Sequence, residues 1–266
     1  MLFHVNHQDK YFLSIICRVY LKLSIITMPN LPNSLDETIQ QAQDSVKAAL
    51  KDGQTRIQVE LVIPEITLRS QSLARQFADS LSEYGLGLKV IFADTGAAAL
   101  ARRDWGDTPF RVGDLGSRFT EIETKISPED QIYLIVSPSA IEVTTIEKLF
   151  SLVPNIPVIL LIPQLEDIAV VGLGYAARQL RERFLSTLYT CYYFRPMENA
   201  IVLRAHGSPW QVYLEKDSGN YELIYENSEK PVGETLDNLL SQKAPEQLKS
   251  IGILNNLQKF LRALSQ

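Results

Sequence analysis

The five residues Val158–Ile162, "VILLI", decide how the rest of the chain is read. A half-buried strand alternates apolar and polar side chains, whereas this run is apolar on both faces, as a strand in a parallel sheet covered by helices on both sides must be. Similar β-branched runs occur at Arg56–Ile63, Leu88–Ala93 and Gln131–Val136. Helical patterns separate them at about Ser70–Tyr84 and Ala140–Leu152, with shorter ones at Gly96–Arg103 and near Arg118–Glu123. The alternation predicts an α/β fold: a Rossmann-like layered core with a mostly parallel sheet and right-handed crossovers.

A helix precedes this alternation. Ser34 and Glu37 have the spacing of a capping box, in which the hydroxyl takes the third helical N–H and the carboxylate returns to the cap residue's own N–H. Leu35, Ile39, Ala42, Val46, Ala49 and Leu50 then recur at three and four residues, and Gly53 supplies the stop. Beyond Leu188 the rhythm changes to short strand-like runs, "LYTCYYF", "AIVLRAH", "WQVYLEK" and "YELIYE", joined by tight turns. They predict an antiparallel β extension, followed by C-terminal helices near Gly233–Ser241 and Pro245–Leu264. The division expected is 1–27 as a gene-model extension or disordered arm, with a natural start at Met28, then 28–187 as the α/β core. Residues 188–266 form the extension, read as part of the same domain.

Composition narrows the function classes. With 31 acidic against 26 basic residues, the net charge of −5 offers no basic stripe to a phosphate backbone, which argues against nucleic-acid binding. Cys17 and Cys191 are far apart in apolar surroundings and read as free, buried thiols. The three histidines are His4, His7 and His206, too few and too scattered for a zinc site or a Ser-His-Asp triad, so no metal and no catalytic residue is expected. In the first 27 residues Arg18 and Lys22 interrupt the apolar run, at a cost of about 2.5–3.5 kcal/mol each at a bilayer centre, so no transmembrane segment is expected there.

Two stretches carry candidate sites. In "VVGLGYAARQLRERF", Val170–Phe184, the residues Gly172, Gly174 and Ala177 give the spacing G-x-G-x-x-A of a dinucleotide loop. The context is wrong for that fold, because Ile168–Val171 follows "VILLI" after only five residues, while a parallel crossover needs about a dozen. No dinucleotide or other cofactor is predicted. Ligands of open parallel sheets sit outside the carboxyl ends of the strands, and the sequence there supplies Glu65, Asp94, Ser137, Ser139, Glu166, Asp167 and Arg195. The candidate anion or ligand site is Gly172, Gly174, Arg178, Asp94 and Arg195; strand-to-helix connections are also made of these residue types for conformational reasons alone. The second stretch, Arg102–Phe119, shows no lasting period and reads as a long irregular loop of the partner-contact or lid kind. Its Trp105, Phe110, Arg118 and Phe119, with Arg181 and Arg183 on the helix after Gly174, are the candidate partner-binding residues. Local ion pairs on a solvated face are the alternative for the arginines.

The stretches "LPNSLDETIQQAQ", "VELVIPE", "LEDIAVVGLGYAARQLRERFLSTLYTCYYFRP" and "PWQVYLE" together resemble a domain-of-unknown-function family of cyanobacteria and chloroplasts, over about Leu31–Leu240. That family includes plant proteins of the low photosystem II accumulation type, which act as assembly factors. The resemblance implies a non-enzymatic accessory factor that binds a protein partner, a photosystem subunit or the assembly machinery. It would be cytoplasmic, with peripheral association at the thylakoid membrane, and the missing transit peptide fits a cyanobacterial source. The competing expectation is a nucleotide- or phosphometabolite-binding enzyme using the carboxyl edge of the sheet.

Overall fold

The computed structural model describes residues 30–117, 120–165, 175–217 and 219–243. The arm 1–27, Arg118, Phe119, Glu166 to Gly174 with both candidate glycines, and the helix expected at Pro245–Leu264 lie outside the described residues.

Helix α1, Leu35–Lys51, starts at Ser34, whose Oγ accepts from the Glu37 N–H at 3.1 Å. The Glu37 carboxylate reaches one residue further back than a capping box requires, accepting from the Asn33 N–H at 2.7 Å. Leu35, Ile39, Ala42, Val46 and Ala49 are buried on one stripe, and the chain turns out of the helix at Gly53, φ 80°.

Among the described residues nine strands form one sheet in the order β3-β2-β4-β5-β1-β6-β7-β8-β9. They are β1 Arg56–Leu61, β2 Leu88–Phe92, β3 Arg111–Asp114, β4 Ile132–Val136, β5 Val158–Leu161, β6 Tyr189–Pro196, β7 Ala200–Ala205, β8 Trp210–Asp217 and β9 Asn220–Asn227. The run from β3 to β6 is parallel throughout, and β6 to β9 is an antiparallel meander. Two expectations are corrected. The region Arg102–Phe119 is not a structureless loop, because β3 lies within it as the parallel edge strand; "RVGD" is too short and too polar to have shown a period. And β6, read as the first strand of the antiparallel extension, is parallel to β1 on one side and antiparallel to β7 on the other.

Strands β4 and β5 are buried on both faces, as the continuous apolar runs require. One face packs on α1, on α2 (Ser70–Ser80) and on α3 (Thr95–Trp105), through Ile57, Val59, Leu73, Phe77, Leu134 and Ile159. The other face packs on α4 (Val143–Leu152), on the short 3-10 turn Ile122–Lys125 and on the end of α5 (Tyr175–Arg183), through Tyr133, Ile135, Ile146, Leu160 and Phe184. A third cluster of Tyr193, Val202, Trp210, Val212 and Leu236 lies under α6, Glu234–Lys243. The chain leaves β1 through α2 over the first face toward β2, and leaves β5 through α5 over the second face in the opposite direction. Direction and face reverse together, as crossovers of one hand require.

Candidate functional site

Since the connections after β1 and β5 depart to opposite faces, the carboxyl ends of these neighbouring strands part, the arrangement in which open α/β sheets hold ligands. The backbone is under strain along the same edge. The non-glycine residues with left-handed backbone among those described are Glu65, φ 59°, after β1, Ser137, φ 49°, after β4, and Ile162, φ 47°, after β5. For a β-branched residue such as Ile162 this conformation is a genuine outlier. The Ser137 and Ile162 N–H groups still donate to Leu161 and Val59 carbonyls at 2.9 and 2.8 Å, so the ladder runs to the kink and then turns away. The two turned loops are joined by the Gln164 N–H, which donates to the Pro138 carbonyl at 2.7 Å. The Ser137 Oγ is buried without a hydrogen-bond partner among the described residues.

Glu65 gives a direct measure of this strain because its side chain is exposed. Glu65→Gly is expected to stabilise the fold by about 0.5 kcal/mol, the left-handed penalty removed less the entropy that glycine adds to the unfolded chain. A denaturant titration checks it; a destabilised variant would mean that no strain is stored at this residue.

Below these kinks lies a cleft of about 630 Å³. Its walls come from the end of β1 and the turn after it, from Ile162–Gln164, and from Arg195–Glu198 at the end of β6. Most of the lining is apolar, including Leu61, Ile63, Ile66 and Met197, while Glu60, Arg195 and Glu198 bring charge. A second cavity of about 390 Å³ shares Glu60, Pro163 and Gln164 with the first and adds Gln58, Leu185, Leu188 and Lys230. Glu60 therefore stands where the two meet.

The polar residues of this region form a column on one face of β1 and β6. Gln58 Nε2 donates to Thr190 Oγ1 at 2.7 Å and to Glu60 Oε1 at 3.2 Å, and the Thr190 hydroxyl donates to Glu60 Oε1 at 3.3 Å. The other carboxylate oxygen of Glu60 faces the Lys230 ammonium at 3.3 Å. Lys230 lies over the Tyr193 ring, 4.1 Å from its centroid, and 5.2 Å from that of Trp210. Burial raises the pKa of the Tyr193 hydroxyl and the Glu60 carboxylate adds to the rise, while the Arg195 charge opposes it. Central strands of a parallel sheet are normally apolar on both faces, so this column is the feature of the sheet that packing does not explain.

Of the residues proposed from sequence, Arg195 is in the cleft. Asp94 is not: it accepts from the Ala97 N–H at 2.8 Å as the cap of α3, at the end of β2. Four strand spacings separate β2 from β6, about 19 Å at the usual sheet spacing, so Asp94 and Arg195 cannot share one small anion. Arg178 is exposed on α5. Arg183 makes a two-pronged pair with Glu147 at 2.9 and 3.0 Å, which fastens α5 to α4. Arg181 also has an interaction of its own. Phe110 is buried and Trp105 half-buried, packed on each other at 5.9 Å with Arg75 over both rings. Phe110 is therefore core and presents no surface to a partner.

Gln58, Glu60, Thr190 and Lys230 escaped the sequence reading. The available signal was "RIQVEL" itself, where Gln58 and Glu60 alternate with buried Ile57, Val59 and Leu61 in what was read as one apolar run. The His206 Nδ1 meets the Tyr189 hydroxyl at 2.8 Å and its Nε2 the Asp52 carboxylate at 2.9 Å, linking the β7–β8 turn to the end of α1. Burial raises the pKa of the Cys191 thiol, which leaves it a small core side chain. Among the described residues no group of three or more His, Cys, Asp or Glu side chains could hold a metal ion, and no helix is long and apolar enough to cross a membrane.

No solved structure matches the chain. The family model described as Domain of unknown function (DUF1995) matches residues 32–238, from the cap of α1 through all nine strands into α6. That span is more than three quarters of the sequence and contains the whole cleft, so the chain belongs to the DUF1995 family.

Proposed function

We propose that the protein is a non-enzymatic accessory factor in photosystem biogenesis, of the kind whose loss lowers photosystem II accumulation, and that it binds a protein partner through the carboxyl edge of its parallel sheet. The reading draws on the resemblance of the chain to those assembly factors. The observation that carries it is the set of exposed apolar side chains on the connections leaving that edge: Val62 and Leu68 after β1, Ile141 after β4 and Tyr175 after β5. Leu68, Ile141 and Tyr175 are each at least 75% exposed. Single exposed apolar residues are ordinary, but several on one edge beside a cleft are the composition of an interaction surface. The partner is a photosystem subunit or a member of its assembly machinery, met at the thylakoid surface by a protein that is peripheral to the membrane.

The test uses the double variant Leu68→Asp with Ile141→Asp. Both positions are exposed, so the variant keeps the wild-type thermal midpoint. In a cyanobacterial host the tagged wild-type chain is expected to co-purify with photosystem II assembly intermediates, and the double variant to lose at least about tenfold of that recovery, as two interface residues worth about 1 kcal/mol each imply. Unchanged photosystem II levels in a deletion strain under high light, or undiminished recovery by the double variant, would overturn the reading.

A further inference from the structure

The cleft between β1, β5 and β6 contains charges that stand differently toward one another. Glu60 is saturated: one oxygen accepts from Gln58 and Thr190, and the other pairs with Lys230. Arg195 is not. It is exposed and contributes to the cleft wall. It makes no ion pair among the described residues. A guanidinium carries five donors in a planar fork that matches a carboxylate or a phosphate, so Arg195, which lines the cleft and pairs with no acid among the described residues, can offer that fork to a ligand there. The remaining wall around it, Leu61, Val62, Ile63, Ile66, Ile162 and Met197, is apolar. A volume of about 630 Å³ is in the range of small-molecule sites. The kinked Ile162 belongs to this wall, and Glu65 lies between two of its residues, Pro64 and Ile66.

We propose that this cleft is a binding site for a small monocarboxylic acid with an apolar body, whose carboxylate is held by the Arg195 fork while the body lies against Leu61, Ile63, Ile66 and Met197. The single charge follows from the Glu198 carboxylate on the same wall. Glu60 is already paired with Lys230, which leaves Glu198 as the second charge beside Arg195 on the wall, and its repulsion bears about twice as strongly on a phosphate monoester, close to a dianion at neutral pH, as on a carboxylate. The apolar body follows from the lining, since burial of each methylene contributes about 0.8 kcal/mol. The site shares Val62 with the surface proposed above but does not rest on that reading, because the two variants of the partner test, at Leu68 and Ile141, lie outside the cleft lining.

Decanoate, decyl phosphate and decanol share one apolar body and differ in head group, which makes them the probes. Titration of the full chain with each, by calorimetry and by the fluorescence of Trp210 behind Lys230, gives the affinities. Decanoate is expected to bind about tenfold or more tightly than decanol, as a charge-assisted contact worth at least 1.5 kcal/mol requires, and also more tightly than decyl phosphate. Arg195→Met is expected to abolish the preference for decanoate over decanol while leaving decanol binding unchanged, and Arg195→Lys to restore part of it. Glu198→Gln strengthens both anions, decyl phosphate more than decanoate, because the repulsion it removes acts on each negative charge of the ligand. Equal affinity for decanoate and decanol, failure of all three to bind, or an Arg195→Met protein that still prefers decanoate would overturn the assignment. A decyl phosphate affinity equal to that of decanoate in the wild-type chain would overturn the monocarboxylate specificity.

Discussion

Asp130→Ala is expected to lower the stability of the fold by about 3 kcal/mol or more. The Asp130 side chain is wholly buried and accepts hydrogen bonds from the Ser127 N–H at 2.7 Å, from the Tyr133 hydroxyl at 2.6 Å and from Arg111 Nη2. The Lys89 ammonium stands 3.6 Å away. One carboxylate thus ties β2, β3 and β4 together at their amino ends. Its removal leaves Lys89 with the Lys125 carbonyl, and Arg111 with the Leu86 carbonyl and the exposed Glu129 carboxylate at 3.9 Å. It also leaves the Tyr133 hydroxyl buried without its acceptor. The loss of a buried counter-ion costs more than the pair contributes, because desolvation of the surviving charges is no longer offset. In a domain of this size 3 kcal/mol lowers the melting temperature by about 6–12 °C. Denaturant titration should show a lower midpoint at an unchanged slope, with Asp130→Asn between the two because it keeps an acceptor and loses the charge. A shift below about 1 kcal/mol would show that the cluster is solvated.

The second large effect is expected at the other end of the second face. Phe184 is 1% exposed and packs on Phe150 with ring centroids 5.7 Å apart, at the point where α5 ends and the chain turns toward β6. Phe184→Ala is expected to cost about 3–4 kcal/mol, whereas removal of the exposed Arg183–Glu147 pair costs under about 1 kcal/mol. Hydrogen exchange separates the two: the phenylalanine variant should lose protection first in α5 and in Leu185–Thr187, while Arg183→Gln leaves the pattern near wild type. Uniform loss of protection in Phe184→Ala would mean that α5 unfolds only with the whole sheet.

The difference in scale between these two contacts on α5 explains what could be read from the chain beforehand. "VILLI" and its companions are buried on both faces, and burial on both faces is written in composition, so the parallel core and its helices were legible. Partner choice is not written there. That β1 lies between β5 and β6, and that β6 serves both halves of the sheet, depends on which crossovers reach which edge. Strand β3 stayed hidden because a four-residue edge strand is too short for a period and its residues are only half buried. At the site, Arg195 was legible as a charge at a strand end. The Gln58–Glu60–Thr190 column was not, because alternation within one strand appears polar only when its neighbour is known, and Thr190 comes 130 positions after Glu60. The aromatic residues of Arg102–Phe119 misled for the opposite reason: glycine and proline around Trp105 and Phe110 looked like an exposed loop, yet Phe92 and Arg75 close over them.

The place of β1 in the sheet also bears on how the protein comes to exist in a cell. Its first strand to leave the ribosome is flanked by β5 and β6, and β5 begins roughly 100 residues later. At translation rates of about 5–20 residues per second, β1 waits on the order of 5–20 s for either neighbour. Throughout that interval Ile57, Val59 and Leu61 lack their lateral partners, and among the described residues α1 is the element before them that packs on the same face. Helix α1, made before β1 and packed on it in the finished fold, is placed to shield the unpaired strand until β5 and β6 arrive on either side.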